Sequence, residues 1–169
     1  MFFKKKCPNC GAMNPKGAPT CARCGASFEM RPARILAAVK DYDEAIRLNP
    51  QSAEVYYKRG FFYQSHGYAE RAIEDFDKTI SLDPQFAQAY SNRAYAYLNK
   101  KRFDLAIADC TKAINLNPSD AVAFLNRGVA YNLQGDKARA KIDLEKAIAL
   151  SDNPRLIETA RQQIKGLAK

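Results

Sequence analysis

The chain has 169 residues, of which 47% are hydrophobic and 27% are charged, a composition typical of a folded globular protein. It contains no apolar run long enough to cross a bilayer, and residues 1–7 lack the apolar stretch of a secretory signal. We therefore expect a cytoplasmic protein with no membrane partner. The net charge of +9 is uneven, because residues 1–34 contain seven Lys or Arg and a single Glu.

Four of the five cysteines form two copies of Cys-x-x-Cys-Gly, which are CPNCG at residues 7–11 and CARCG at residues 21–25. Two such pairs bring four thiolates to one ion, and this set suits tetrahedral Zn²⁺ in a closed structural site. The turn-forming residues between the motifs predict a short hairpin there. An iron site or a redox dithiol is the alternative. The predicted ligands of one structural Zn²⁺ are Cys7, Cys10, Cys21 and Cys24.

This N-terminal segment resembles the short zinc ribbons that begin many prokaryotic proteins with the pattern CPNCG…CxxCG. The resemblance covers about residues 6–28. It implies a metal that holds the fold together, since so small a domain cannot bury a sufficient core alone. Four cysteines leave no open coordination position, so the resemblance does not imply a catalytic zinc.

A period of 34 residues governs the rest of the chain, as shown by AIRLNP at residues 45–50, TISLDP at 79–84 and AINLNP at 113–118. A fourth copy ends at Pro154, where its proline comes two residues late. A fixed period of this length indicates a repeat architecture. Within each period, apolar residues recur three and four positions apart, which predicts two amphipathic helices per unit.

Each unit has an early aromatic residue (Tyr56, Tyr90, Phe124), followed at fixed places by a small residue, a tyrosine and an alanine, and then by a proline. This order resembles the tetratricopeptide repeat (TPR), which implies a mainly α solenoid of helical hairpins. The predicted organisation is a zinc ribbon at 1–30 and a solenoid at 31–169, the latter made of a half-repeat helix at 33–50, full repeats at 53–86, 87–120 and 121–154, and a capping helix at 155–169.

Arginine stands where this repeat usually has leucine, and both that arginine and an aspartate recur every 34 residues. Pairing within a unit would leave Asp41 and Arg161 alone, whereas pairing each aspartate with the arginine eighteen residues later leaves none alone. We therefore predict ion pairs between repeats, with a row of anion-binding arginines as the alternative. The predicted pairs are Asp41–Arg59, Asp75–Arg93, Asp109–Arg127 and Asp143–Arg161.

In TPR proteins, the first helix of each unit lines a concave groove that binds peptides or partner helices. Side-chain amides at regular intervals can donate to and accept from an extended peptide backbone, and a merely hydrated polar face is the alternative. The residues predicted to line the groove are Tyr57, Lys58, Phe61, Ser91, Asn92, Tyr95, Asn99, Asn126 and Val129.

The repeats also resemble co-chaperones that clamp a C-terminal carboxylate. That clamp requires lysine, asparagine and arginine side chains at several places, of which only Asn92 is present. The other places are occupied by Tyr57, Phe61, Val122 and Asn126. A clamp for chaperone tails is therefore not predicted.

No catalytic constellation is present: His66 is the only histidine, and Cys110 aligns with the apolar residues Phe76 and Leu144. We expect a non-catalytic interaction scaffold with a protein or peptide partner and no small-molecule substrate. A thiol-redox or metal-handling enzyme is one alternative. The other is a nucleic-acid-associated factor, in which basic side chains of the head contact phosphates. These side chains are Lys4, Lys5, Lys6, Lys16, Arg23, Arg31 and Arg34.

Overall fold

The computed structural model describes residues 4–6, 13–15 and 32–167, with side chains for Met13 and residues 38–167. Strands β1 (Lys4–Lys6) and β2 (Met13–Pro15) pair antiparallel, with Lys5 opposite Asn14. The hairpin therefore spans the first cysteine motif. The predicted hairpin between the two motifs falls largely outside the described residues and stays a prediction.

Eight α-helices make up the described part of the chain after residue 31, and this confirms the predicted order of one helix, six helices and one helix. No helix in this part is both long and apolar enough to span a membrane. The helices are α1 (Pro32–Leu48), α2 (Ala53–Ser65), α3 (Ala69–Leu82), α4 (Ala87–Asn99), α5 (Phe103–Leu116), α6 (Ala121–Leu133), α7 (Lys137–Leu150) and α8 (Pro154–Leu167).

The first helices of the repeats form the inner row of the solenoid. Consecutive helices pack on one another along the chain, and α2 also contacts α4, α4 contacts α6, and α6 contacts α8. Among the described helices, no contact joins α3 to α5 or α5 to α7. A stack of hairpins curves toward the row whose members touch, so α2, α4 and α6 line the concave side.

The first helix of each repeat ends in a turn in which one residue adopts the left-handed backbone conformation, with a positive φ. Gly67 (φ 80°) and Gly135 (φ 88°) occupy this place in the outer repeats, and Lys101 (φ 59°) occupies it in the middle one. After Gly67, the N–H of Tyr68 donates to the Tyr63 carbonyl over 2.9 Å. This is the Schellman pattern, which satisfies carbonyl groups that the helix itself leaves unpaired.

Within each hairpin, a small residue on the first helix faces a larger one on the second. A Cβ atom added to Gly60 would lie 2.9 Å from Cε1 of Phe76, and one added to Gly128 would lie 2.9 Å from Cγ of Leu144. In the middle repeat, Ala94 occupies the place of these glycines and its partner position holds the smaller Cys110, which is fully buried. The two helices of each unit therefore approach closely.

Candidate interaction surface

The inner row exposes several large apolar side chains. Phe61 is 52% exposed, Tyr95 43%, Val122 43% and Leu133 55%. Counted from the start of each repeat, they occupy the second, ninth or thirteenth position, and these positions lie within about 40° of one another around an α-helix. The four side chains therefore point from one face of α2, α4 and α6, on the side opposite the packed interior. We call this set the inner apolar face.

The amides predicted to read a peptide connect neighbouring first helices instead. Nδ2 of Asn92 donates to the Tyr57 hydroxyl over 2.9 Å, and Nδ2 of Asn126 donates to the Ser91 carbonyl over 3.3 Å. Ser91 and Asn126 are buried. The prediction that Ser91 and Asn126 line an open groove is therefore wrong, because adjacent first helices pack closely enough to cover them.

The other predicted groove residues keep different degrees of exposure. Lys58 and Asn99 are exposed, whereas Tyr57 and Val129 are half-buried. The ring of Tyr57 lies 4.8 Å from that of Phe86, and burial raises the pKa of the Tyr57 hydroxyl. Tyr57 therefore forms part of the floor between α2 and α4.

Two charged groups near the inner apolar face have hydrogen-bond or ion-pair partners within the chain. Nζ of Lys58 lies 2.7 Å from Oε1 of Glu54. The carboxylate of Asp120 accepts a hydrogen bond from the N–H of Ala123 over 3.0 Å and so caps α6. A ligand at this face would consequently meet apolar surface, one exposed ion pair and the carboxylate of Asp120.

In the three full repeats, the repeated arginine binds the aspartate of its own unit, sixteen residues later. Nε and Nη2 of Arg93 donate to the two carboxylate oxygens of Asp109, each over 2.7 Å. Arg59 binds Asp75 and Arg127 binds Asp143 in the same bidentate way. The predicted pairs Asp41–Arg59, Asp75–Arg93, Asp109–Arg127 and Asp143–Arg161 are therefore wrong. The antiparallel hairpin places the arginine opposite the aspartate of the same hairpin.

The same arginines also reach back to the preceding unit, to the residue sixteen positions earlier. Nη1 of Arg59 donates to Asp43, and Nη1 of Arg93 donates to Asp77, each over 2.6 Å. In the third copy, Nη1 of Arg127 donates to the hydroxyl of Thr111 over 3.2 Å. A connection between repeats therefore exists, with partners other than the predicted ones.

Both ends of the predicted series lack ion pairs among the described side chains. Asp41 lies in α1, whose unit has no described first helix. Arg161 is exposed, and Ala160 beside it is buried. Asn153 accepts a hydrogen bond from the Arg155 N–H over 3.0 Å, and α8 begins at Pro154. Asp143 is bound by Arg127 of its own unit, as the aspartates of the other two full repeats are bound by their own arginines.

The alternative of an anion-binding arginine row has no support in this geometry. The hydrogen bonds that Arg59 donates to Asp75 raise the pKa of Arg59, and Nε, Nη1 and Nη2 of this guanidinium all donate to carboxylates. At the middle position, burial raises the pKa of Asp109 against the lowering by Arg93. The arginines therefore hold helices together.

Comparison with known proteins agrees with this architecture. Family profiles of the tetratricopeptide repeat match residues 34–67, 53–86, 87–120 and 110–142, and a zinc-ribbon domain profile matches residues 6–28. The first TPR of Spaghetti (RPAP3), solved with the HSP90 peptide SRMEEVD, is 32% identical, with a TM-score of 0.63. That match covers 70% of this chain and 95% of the other.

The chain belongs to the tetratricopeptide repeat family. It carries a zinc-ribbon domain before the repeats. The second TPR domain of human RPAP3, solved with the HSP70 peptide SGPTIEEVD, is also 32% identical, with a TM-score of 0.62 and coverage of 70% of this chain and 99% of that one. A thermophilic TPR protein of Thermus thermophilus is 24% identical, with a TM-score of 0.69 and coverage of 80% and 75%, and it shows the fold alone. A search of curated protein sequences finds no match.

The zinc-ribbon match indicates zinc binding in this TPR protein. The predicted ligands Cys7, Cys10, Cys21 and Cys24 lie outside the described residues. The basic side chains of residues 1–34, on which a nucleic-acid role would depend, also lie outside the described side chains. In the part of the chain that the structure describes, no cluster of three His, Cys, Asp or Glu side chains could hold a metal ion.

The two remaining candidates for reactive side chains are Cys110 and His66, and both have the surroundings of structural residues. Cys110 is fully buried, and this burial raises the pKa of its thiol, whereas reactive cysteines have a lowered pKa and access to solvent. Nδ1 of His66 donates to the Phe62 carbonyl over 2.7 Å, and the imidazole lies against the ring of Phe62. His66 therefore closes the end of α2.

Proposed function

We propose that this TPR protein is a non-catalytic scaffold that binds a peptide segment or a partner helix at the inner apolar face. The observation that carries the proposal is the exposure of Phe61, Tyr95, Val122 and Leu133 on one face of three adjacent helices. Contiguous exposed apolar surface in a concave position is typical of recognition sites. Aromatic side chains such as Phe61 and Tyr95 often contribute most to such binding.

The chemistry of this surface favours an uncharged, apolar partner segment. The two RPAP3 domains were solved with acidic peptides, SRMEEVD and SGPTIEEVD. In this chain, Lys58 is paired with Glu54, and the amide of Asn92 is bonded to Tyr57. An acidic peptide would find few unpaired cations here, whereas aliphatic or aromatic side chains would bury Phe61 and Tyr95.

The test begins with peptides selected from a random library on the full-length protein, whose affinities are then measured by fluorescence anisotropy. The double variant Phe61→Lys/Tyr95→Lys is expected to weaken binding at least about tenfold, because two apolar contacts are lost. The matched control is Leu105→Lys/Ile142→Lys, which changes residues that are 47% and 66% exposed on the outer helices α5 and α7. Equal losses in both variants, or no loss in the first, would reject the inner face as the site.

Charge preference is tested with the peptide SRMEEVD in the same assay. We expect selected peptides to be rich in apolar residues and to bind at least about tenfold more tightly than SRMEEVD. Tight binding of SRMEEVD that weakens in Lys58→Ala would instead identify an acidic partner. Such a result would leave the site in place and change only the class of its ligand.

For the N-terminal domain, we propose one structural Zn²⁺ held by Cys7, Cys10, Cys21 and Cys24. The support is the zinc-ribbon match over residues 6–28 together with a ligand set of four thiolates, which closes the coordination sphere. The role of this ion would be to fold the domain rather than to activate a substrate.

A further inference from the structure

Helix α1 presents an apolar face that every other second helix of the solenoid buries. In each complete repeat, three aligned residues of the second helix are fully buried beneath the first helix of the same unit. These residues are Ala72, Phe76 and Thr79 in α3, Ala106, Cys110 and Ala113 in α5, and Ala140, Leu144 and Ala147 in α7. The equivalent residues of α1, which are Ala38, Tyr42 and Ala45, are only partly buried.

The open face of α1 meets the solenoid along one edge, where the ring of Tyr42 lies 6.1 Å from that of Phe62 in α2. Val39 is 5% exposed and joins the core beneath α2. Ala38, Tyr42 and Ala45 lie within about 60° of one another on a different side of the helix. Leu48 extends the apolar character of α1 and is 69% exposed, whereas its equivalents Leu82 and Leu116 are half-buried.

A carboxylate beside this face also lacks the partner that its equivalents have. Asp75, Asp109 and Asp143 each receive a bidentate arginine from the first helix of their own unit. Asp41 occupies the same place in α1, and it has no ion-pair partner among the described side chains. The open face therefore combines an apolar strip with an exposed negative charge.

We propose that residues 1–31 of this chain, which contain the zinc-ribbon domain, cover the open face of α1 and supply the cation that pairs with Asp41. This segment is attached directly to the start of α1 at Pro32, so its effective concentration at the face is high. It contains six Lys or Arg and one Glu, and also Phe2, Phe3, Phe28 and Met30. Its charge and its apolar side chains thus complement what α1 exposes.

The zinc-ribbon domain would then occupy the place that a first helix has in the complete repeats. A solenoid needs a different structure at each end, because a terminal unit has no neighbour on one side. At the C-terminal end this structure is α8. At the N-terminal end, the ribbon would bury the apolar strip of α1 and leave the inner apolar face open to a partner.

The test uses the full-length protein and the charge reversal Asp41→Arg, with Glu74→Arg on the exposed surface of α3 as the matched control. A short amine-to-amine crosslinker reports the proximity of Lys40, which is exposed beside Asp41, to lysines 4, 5, 6 and 16. We expect these crosslinks in the wild type and in Glu74→Arg. Asp41→Arg should lower their yield at least about fivefold, since it places like charges together.

Hydrogen exchange provides an independent readout on the same three proteins. Amides in residues 38–48 should exchange faster in Asp41→Arg than in the wild type, while α4–α8 remain unchanged, which also shows that the variant is folded. The proposal is overturned if Lys40 reacts with the reagent but forms no crosslink to residues 1–31. It is equally overturned if crosslinks and exchange in Asp41→Arg match those of the wild type.

Discussion

At the contact between the two helices of a repeat, the size of one side chain depends on the size of its neighbour. Gly60 faces Phe76 and Gly128 faces Leu144, with no room for an added Cβ. In the middle repeat the combination is Ala94 with Cys110. The departure of Cys110 from the bulky residues at its aligned positions is therefore a matter of packing volume.

Gly60→Ala should destabilise the protein by about 1–3 kcal/mol, because overpacking a filled core forces its neighbours to move. Gly166→Ala is the control: it changes a glycine in α8 that has nothing within 4 Å of the new Cβ. This second change should stabilise by up to about 1 kcal/mol through helix propensity. Urea unfolding followed by circular dichroism measures both, and a neutral Gly60→Ala would show that the hairpin can widen freely.

Cys110 should resist alkylation in the folded chain. Burial raises the pKa of its thiol above the ordinary 9.0, so at pH 8 the reactive thiolate is scarce and the sulfur is inaccessible. We expect labelling by iodoacetamide to be at least about a hundredfold slower than in urea-unfolded protein. Peptide mass spectrometry separates this cysteine from the four N-terminal ones.

The raised pKa of Cys110 also predicts how the stability of the protein changes with pH. Well below pH 9 the thiol is protonated in both folded and unfolded chains and has no effect on stability. As the pH rises above 9, the unfolded chain loses this proton while the folded chain retains it, so the free energy of unfolding falls. Cys110→Ala should remove this part of the alkaline decrease, and an unchanged pH profile in that variant would contradict the assignment.

Between elements, the arginines of the first helices connect three helices each. Arg93 joins α4 to α5 through Asp109 and to α3 through Asp77. Its guanidinium also lies 5.7 Å from the ring centroid of Tyr90. The bidentate ion pair inside each hairpin is largely buried, and the partner in the preceding unit is more exposed. This row fixes how successive hairpins are placed, in addition to their apolar packing.

Thr111→Asp should strengthen the weakest connection of this row. Arg127 has a hydroxyl partner at Thr111 where Arg59 and Arg93 have the carboxylates of Asp43 and Asp77. A carboxylate there should stabilise by up to about 1 kcal/mol relative to Thr111→Asn, which has a similar shape without the charge. Denaturant unfolding measures the difference. If the two variants remain different in an Arg127→Gln background, the gain does not come from this pair.

On the scale of the whole molecule, we expect the helical part and the zinc-ribbon domain to be stabilised by different interactions. The helices of residues 32–167 are held by packing between neighbours, whereas we expect the zinc-ribbon domain to depend on its metal, because so short a segment cannot bury a sufficient core alone. The inner apolar face lies entirely on the helical part. Loss of metal should therefore affect the N-terminal part of the chain far more than the proposed binding surface.

Chelation should release one zinc ion per chain and leave the helical circular dichroism signal nearly unchanged, apart from the contribution of α1. A colorimetric metal assay counts the ion, and Cys110→Ala serves as a control that should keep it. The variant Cys7→Ser/Cys10→Ser should lose it, since each removed thiolate lowers the affinity for Zn²⁺. A large fall in helix content on chelation would show that the solenoid itself depends on the metal.

Much of the fold was predictable because the interactions in a solenoid are local. Each unit contacts only its neighbours, so the prolines at 50, 84 and 118 already indicate where the helices of each unit fall. The candidate site was predictable in part. Phe61 and Tyr95 are exposed on the inner face and their role in binding stays a prediction, whereas Asn126 is buried and could not be distinguished from them by its position in the period alone.

By itself, the sequence determined the repeat length, the order of helices and the two cysteine motifs, since these depend on spacing along the chain. Only the tertiary structure decided which aspartate each arginine binds. Asp75 and Asp43 both lie sixteen residues from Arg59, and the expected partner, Asp41, lies eighteen residues away. A shift of two residues turns a side chain by about 200° around a helix. The partner therefore depends on which helix faces meet, and regular spacing alone does not determine that.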